Sequence, residues 1–203
     1  MKFYSSVGPN PRTVRMFAAE RGAALEIVKV DLRGGENRRE AFLEKNPAGQ
    51  TPALELDDGS VLAEITAICE YLDEVTPGPS LIGATPKERA VTRMWVRRID
   101  LNIIEPMTNG YRYSDGLAMF SKRMRCLPEA AVGLKLIAQE RLGWLDALIE
   151  GREFICGDRL TLADVLLYVF LDFGAKVGQP FADDLSTIPA WFARMHQRAS
   201  VSA

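Results

Sequence analysis

Residues 46–74 read "NPAGQTPALELDDGSVLAEITAICEYLDE". "TPALEL" and "SVLA" flank "DDG", which predicts two short antiparallel strands joined by a tight turn. "EITAICEYLDEVTP", from Glu64, then predicts a helix with Ile65, Ile68, Cys69 and Leu72 on one apolar stripe. Two features of this stretch are unusual. Pro52 stands at a strand start, where proline is tolerated because no ladder donor is lost. The bend there is either an ordinary trans turn or a cis Thr51–Pro52 bond, and it leaves the N–H and C=O of Thr51 open to pairing with an extended peptide. The second feature is Ile65. A helix start leaves backbone N–H groups without partners, so Ser, Thr, Asp or Asn is the expected residue, yet Glu64 is followed by a branched hydrocarbon.

Upstream, "KFYS" is a short strand and "PRTVRMFAAERG" a helix, with Asn10 reading as its N-cap, Pro11 as its first residue and Gly22 as its stop. "LEIVKVDL" alternates as a strand, and "GENRREAFLEKNP" at 35–47 reads as a polar helix carrying Phe42 and Leu43. The order is βαβ, helix, hairpin, helix. Downstream, "TPGPSLIGATPKE" has no period and reads as a linker. Everything after it has helical character, over 86–120, 128–149, 162–176 and 188–199. We therefore expect a small α/β domain over 1–76, a linker over 77–85 and an all-helical domain over 86–203.

The chain is 203 residues long and 47% hydrophobic, enough apolar material for a core in each half. A net charge of −2 provides no basic excess for neutralising phosphates, so nucleic acid is not an expected partner. The longest apolar run, "LTLADVLLYVFL", is interrupted by Asp164 and too short to span a bilayer, and no membrane or signal segment is expected. Cys69, Cys126 and Cys156 are odd in number and widely spaced, and His196 is the sole histidine, so neither a disulfide framework nor a metal site is expected. Each cysteine reads as a small buried hydrophobe, His196 as a surface residue, and the cytoplasm as the default compartment. Thr161 and Asp164 in "TLAD" have capping-box spacing, a structural role.

The 46–74 stretch resembles the end of the thioredoxin-like domain of cytosolic glutathione transferases, which has the form N-P-x-G-x-[VT]-P-x-L, a turn, then L-x-E-S-x-A-I-x-x-Y-L. "FICGDRLTLADVLLYVFL" (154–171) resembles the family's second signature, and "IPAWFARMHQRASV" (188–201) its C-terminal helix. The resemblance implies an N-terminal thioredoxin-like domain, a C-terminal α-helical glutathione transferase domain, a homodimer, and glutathione as co-substrate with no other cofactor. Carried over, Thr51 pairs its backbone with the cysteinyl part of glutathione, Pro52 is the cis-proline, and Glu64 holds the γ-glutamyl end. Ile65 stands where the family usually has a serine whose hydroxyl and N–H meet the γ-glutamyl carboxylate. The helix N-terminus remains open to an anion, but one side-chain hydrogen bond is gone. Arg38, Arg39, Lys45 and Gln50 are the candidates for the glycyl carboxylate.

Glutathione chemistry needs the thiolate, and a free thiol with a pKa near ~8.5 is mostly protonated at neutral pH. The family places a Tyr, Ser or Cys in the first strand–helix loop to lower that pKa. In "YSSVGPNPRTV" Tyr4 lies within the strand, so the donors are, in order, Asn10, Ser6 and Ser5. In "MTNGYRYSDGLAMF" (107–120), Met107, Tyr111, Arg112 and Tyr113 are candidates for a second-substrate pocket, against a packing role for each. The expected activity is addition of the glutathione thiolate to an electrophilic small molecule, as in detoxification. Glutathione-dependent disulfide or peroxide reduction, and a non-catalytic binding or regulatory role, are the alternatives.

Overall fold

A computed structural model describes all residues, 1–203. The chain divides into two compact units, Met1–Ala84 with Ala199–Ala203, and Thr85–Arg198.

The first unit is built on strands β1 (Lys2–Ser5), β2 (Glu26–Lys29), β3 (Ala53–Glu55) and β4 (Val61–Ala63), in spatial order β2-β1-β3-β4. β1 and β2 are parallel and joined through helix α1 (Pro9–Arg21); β3 pairs antiparallel with β1 and with β4. Phe3 and Leu54 point to one face, where they are fully buried with Val14 and Phe17 of α1 and with Ile68, Cys69 and Leu72 of α3 (Ile65–Val75). Burial pushes the Cys69 thiol well up, as expected of a thiol used as a hydrophobe. Tyr4 points to the other face and meets Phe42 edge-on.

The polar helix expected over 35–47 is only a 3₁₀ turn, Glu36–Arg38, followed by the four-residue α2 (Glu40–Leu43). Phe42 is its one buried residue, too small an apolar face to sustain more turns. The segment read as a linker is tied into this unit. Arg21, paired with Asp73 at 2.9 Å and buried with it, also donates to the carbonyls of Asp73, Thr76 and Pro79. Asp73 in turn accepts from Leu81 N–H at 2.8 Å and from the Ser80 hydroxyl. Residues 199–203, placed with the helical domain by the sequence, group here because Ser200 donates to Glu20 and Arg12 reaches the Val201 carbonyl.

The second unit begins with α4 (Pro86–Ile99), opened by a Thr85–Glu88 capping box. The expected long helix continues as a π turn, Asp100–Ile104, then α5 (Glu105–Arg112), and breaks before α6 (Leu117–Phe120). The π turn ends two residues before Pro106, the second residue of α5, which has no N–H to give and whose ring collides with a regular ladder. α7 (Ala131–Leu148), α8 (Leu162–Lys176) and α9 (Ile188–His196) complete the unit. α8 is its core, buried from Leu162 through Leu171. The Asp164 carboxylate, fully enclosed, accepts from Thr161 N–H and hydroxyl, Ile155 N–H and Trp191 Nε1–H at 2.8–3.0 Å. Burial nevertheless pushes its carboxyl up. Asp146 accepts from the backbone N–H groups of Ser186, Thr187 and Ile188 and so closes the start of α9. His196 is exposed, with Nδ1 at 2.8 Å from the Tyr168 hydroxyl.

Candidate functional site

The sheet register brings one end of the first unit together. Tyr4 opposes Ala53, and Ala53 opposes Ala63. At this same end of the sheet Ser6 follows β1, Thr51 precedes β3, and Glu64 and Ile65 follow β4, so the topology gathers Ser6, Thr51 and Ile65 along one edge of the unit, a row in the order of the strands. The row is real at its first step: Ser6 Oγ lies 2.5 Å from Thr51 Oγ1. The Thr51–Pro52 bond is cis. β3 begins at Ala53, so Thr51 stands outside the ladder.

At the far side of the row is the start of α3. Glu64 precedes it with φ 69° and ψ 130°, and it is the one non-glycine residue with positive φ. No side chain caps the helix and its first turn holds no acidic residue. The N–H groups of Ile65, Thr66 and Ala67 are therefore orphans of the first turn and carry the positive end of the helix dipole. Ile65 is partly exposed, unlike Ile68, Cys69 and Leu72, so it stands at the edge of the stripe and not in the core. A strained residue beside unpaired donors is what an anion-binding helix start looks like.

At the near side, α1 starts at Pro9, with Gly8 (φ 118°) in the cap position and no capping side chain. Asn10 is thus the second residue of the helix and not its N-cap. Prolines at 9 and 11 remove two of the first-turn donors, so this helix end is the poorer of the two as an anion site. Ser5 is 4% exposed; its hydroxyl accepts from Arg15 at 2.8 Å, and it shares the inward face of β1 with Phe3. Ser5 is therefore not part of the row. Tyr4 is not available either: its hydroxyl donates to Glu55 at 2.7 Å. Lys45, expected near a ligand carboxylate, instead pairs with Glu55 at 2.7 Å, with Lys2 at 3.5 Å on the other oxygen. Lys45, then Tyr4, hold the Glu55 carboxyl at about 2.

The loop before Thr51 is shaped by two buried amides that sequence reading passed over. Asn37 Nδ2 donates to the Gly49 carbonyl at 2.6 Å, and Asn46 Nδ2 to the Gln50 carbonyl at 2.9 Å. An asparagine inside a charged run was the available signal. Gln50 itself is exposed. Arg38 is exposed with Nη1 close over Gly49, where an added Cβ would stand 3.2 Å from it. Arg39 is turned away, reaching the Gly34 carbonyl at 3.4 Å. Of the two, Arg38 borders the Thr51 loop.

In the helical unit, Met107 is 2% exposed and packs in the core, so it offers no surface to a ligand. Tyr111 stands edge-on to Phe120 and Phe173. Arg112 stacks over Phe120 and donates to Asn109 at 3.0 Å, and burial lowers its pKa. Tyr113 ends α5 and is partly exposed.

Comparison with known proteins accords with this arrangement. Residues 7–75 match the model of the glutathione S-transferase N-terminal domain, and residues 133–199 that of the C-terminal domain. Glutathione S-transferase 2 of Saccharomyces cerevisiae is 32% identical over 196 residues, 96% of this chain and 84% of that protein. Human elongation factor 1-gamma is 35% identical over 132 residues, 65% of this chain but 28% of its own length. A crystal structure of a glutathione S-transferase domain-containing protein from Marinobacter aquaeolei superimposes with TM-score 0.94 at 38% identity, covering 99% of this chain and 100% of that one. With both domains matched and the likeness running nearly end to end, the chain belongs to the glutathione S-transferase family.

Proposed function

We propose that this protein is a glutathione transferase that adds the glutathione thiolate to an electrophilic small molecule. The observation that carries this is the row Ser6–Thr51–Ile65, with the uncapped start of α3 at one end. In this reading the cysteinyl residue of glutathione pairs with the free backbone of Thr51. The γ-glutamyl carboxylate takes the N–H groups of Ile65 and Thr66, and Glu64 faces the γ-glutamyl ammonium. Arg38 lies on the side of the glycyl carboxylate. The sulfur then falls at the Ser6 side of the row, near the start of α1, where donors favour the thiolate. The thiolate's electron pair forms a bond to the electrophilic carbon, and a leaving group or the substrate's π system accepts the displaced pair. Tyr111, Arg112 and Tyr113 remain the proposed second-substrate residues. A homodimer in the cytoplasm is part of the same proposal.

The test is calorimetric titration with glutathione, followed by conjugation, disulfide and peroxide assays on the same preparation. Binding with conjugation supports the reading. Turnover confined to disulfides or peroxides makes the protein a glutathione-dependent reductase. Ile65, and the match to part of elongation factor 1-gamma, favour one further reading, a binding or regulatory protein, for which glutathione would bind without turnover or not at all.

A further inference from the structure

We infer that the side chain of Thr51, and not only its backbone, takes part in activating the thiol: its hydroxyl donates to Ser6 Oγ and frees the Ser6 proton for the sulfur. This rests on the glutathione reading of the site.

The two oxygens are 2.5 Å apart, so one hydroxyl donates to the other. Each hydroxyl has one proton. Ser6 has a second partner, the Val7 carbonyl, at 3.3 Å, a long contact that is easily exchanged for a better acceptor. A thiolate is an acceptor only. When it stands beside Ser6 it takes the Ser6 proton, and the short Ser6–Thr51 bond then persists only with Thr51 as its donor. A hydroxyl whose oxygen accepts a hydrogen bond is a stronger donor, so Thr51 strengthens the Ser6–sulfur bond cooperatively. Thr51 is suited to the task. It is 8% exposed, next to Pro52, and in hydroxyl contact with Ser6, so its hydroxyl is held in place before the ligand arrives. Valine at this position would dock a peptide backbone equally well but would leave Ser6 unpolarised. Ser6 is thus the catalytic donor and Thr51 a positioning residue.

The experiment compares Thr51→Val, Thr51→Ser, Ser6→Ala and the double variant Ser6→Ala/Thr51→Val. Each is read by the pH dependence of conjugation, by thiolate absorbance of bound glutathione and by calorimetric glutathione affinity. Ser6→Ala should lower neutral-pH kcat/KM by about tenfold or more, because a hydrogen bond to a charged atom is lost. Thr51→Val should raise the apparent thiol pKa and lower the neutral-pH rate several-fold, with little change in affinity and with recovery at high pH. Thr51→Ser should restore the wild-type profile, and the double variant should be no worse than Ser6→Ala, since the residues act in series. A Thr51→Val profile that matches wild type, or a double variant with additive losses, overturns the inference, and a Ser6→Ala profile that matches wild type overturns it by removing Ser6 as the donor. A wild-type protein that does not bind glutathione overturns the parent reading as well, and the affinity measurement alone tells the two failures apart.

Discussion

Replacing Ile65 by serine should tighten glutathione binding at a modest cost in stability. Ile65 is the first residue of α3, where no side chain caps the helix. A serine hydroxyl there reaches the same carboxylate as the first-turn N–H groups. A hydrogen bond to a charged group contributes ~1.5–3 kcal/mol, or roughly ten- to a hundredfold in affinity. The opposing loss is apolar contact. Full burial of an isoleucine side chain stabilises by ~1.5–3 kcal/mol, and Ile65 is only partly covered, so about 1 kcal/mol is at stake. No enclosed cavity opens, because Ile68, Cys69 and Leu72 fill the interior beneath α3. The two effects are read separately, the gain by calorimetric titration with glutathione and the loss by the urea midpoint of the free protein at unchanged m value. Unchanged or weaker affinity in a variant that remains folded would refute the placement of the γ-glutamyl carboxylate at the start of α3.

Glu64→Gly should relieve a backbone strain of ~1–3 kcal/mol while loosening the unfolded chain by less, so Tm should rise while glutathione affinity falls; a lower Tm would show that the φ of 69° is not strained. Arg21→Met removes one partner of a buried ion pair and should cost about 3–5 kcal/mol, measured by denaturant unfolding, with the 76–81 segment becoming the first site of limited proteolysis. Burial works to raise the Asp146 carboxyl, but three N–H donors and the Ser186 hydroxyl outweigh it and hold it below the usual range. Its stabilisation is therefore complete above the unfolded carboxylate pKa of ~3.9 and is lost as pH falls through the lower folded value. The stability difference between wild type and Asp146→Ala, about 1–2 kcal/mol near neutrality, should shrink only below about pH 4.

Local signals carried much of the architecture. "DDG" between two short apolar runs specifies a hairpin because turn chemistry acts over a few residues. The Thr161–Asp164 spacing specifies a helix start for the same reason, and the buried stripe of Ile68, Cys69 and Leu72 follows from helical period alone. What failed is the helix over 35–47: "GENRREAFLEKNP" has good helix formers at its centre between Asn37 and Asn46, but only Phe42 of α2 finds a core to enter, and just four residues of α-helix survive. The row at the sheet end is different in kind. Ser6, Thr51 and Ile65 can each be singled out in the sequence, but their gathering at one end of the sheet depends on two strand registers between segments far apart in sequence. Whether Lys45 meets Glu55 or a ligand, whether Ser5 faces Arg15 or solvent, and whether residues 199–203 join the first unit are likewise settled by long-range packing. Periodicity and caps are properties of neighbouring residues and can be read from the chain. A hydroxyl 2.5 Å from another, contributed 45 residues away, exists only once the sheet has closed.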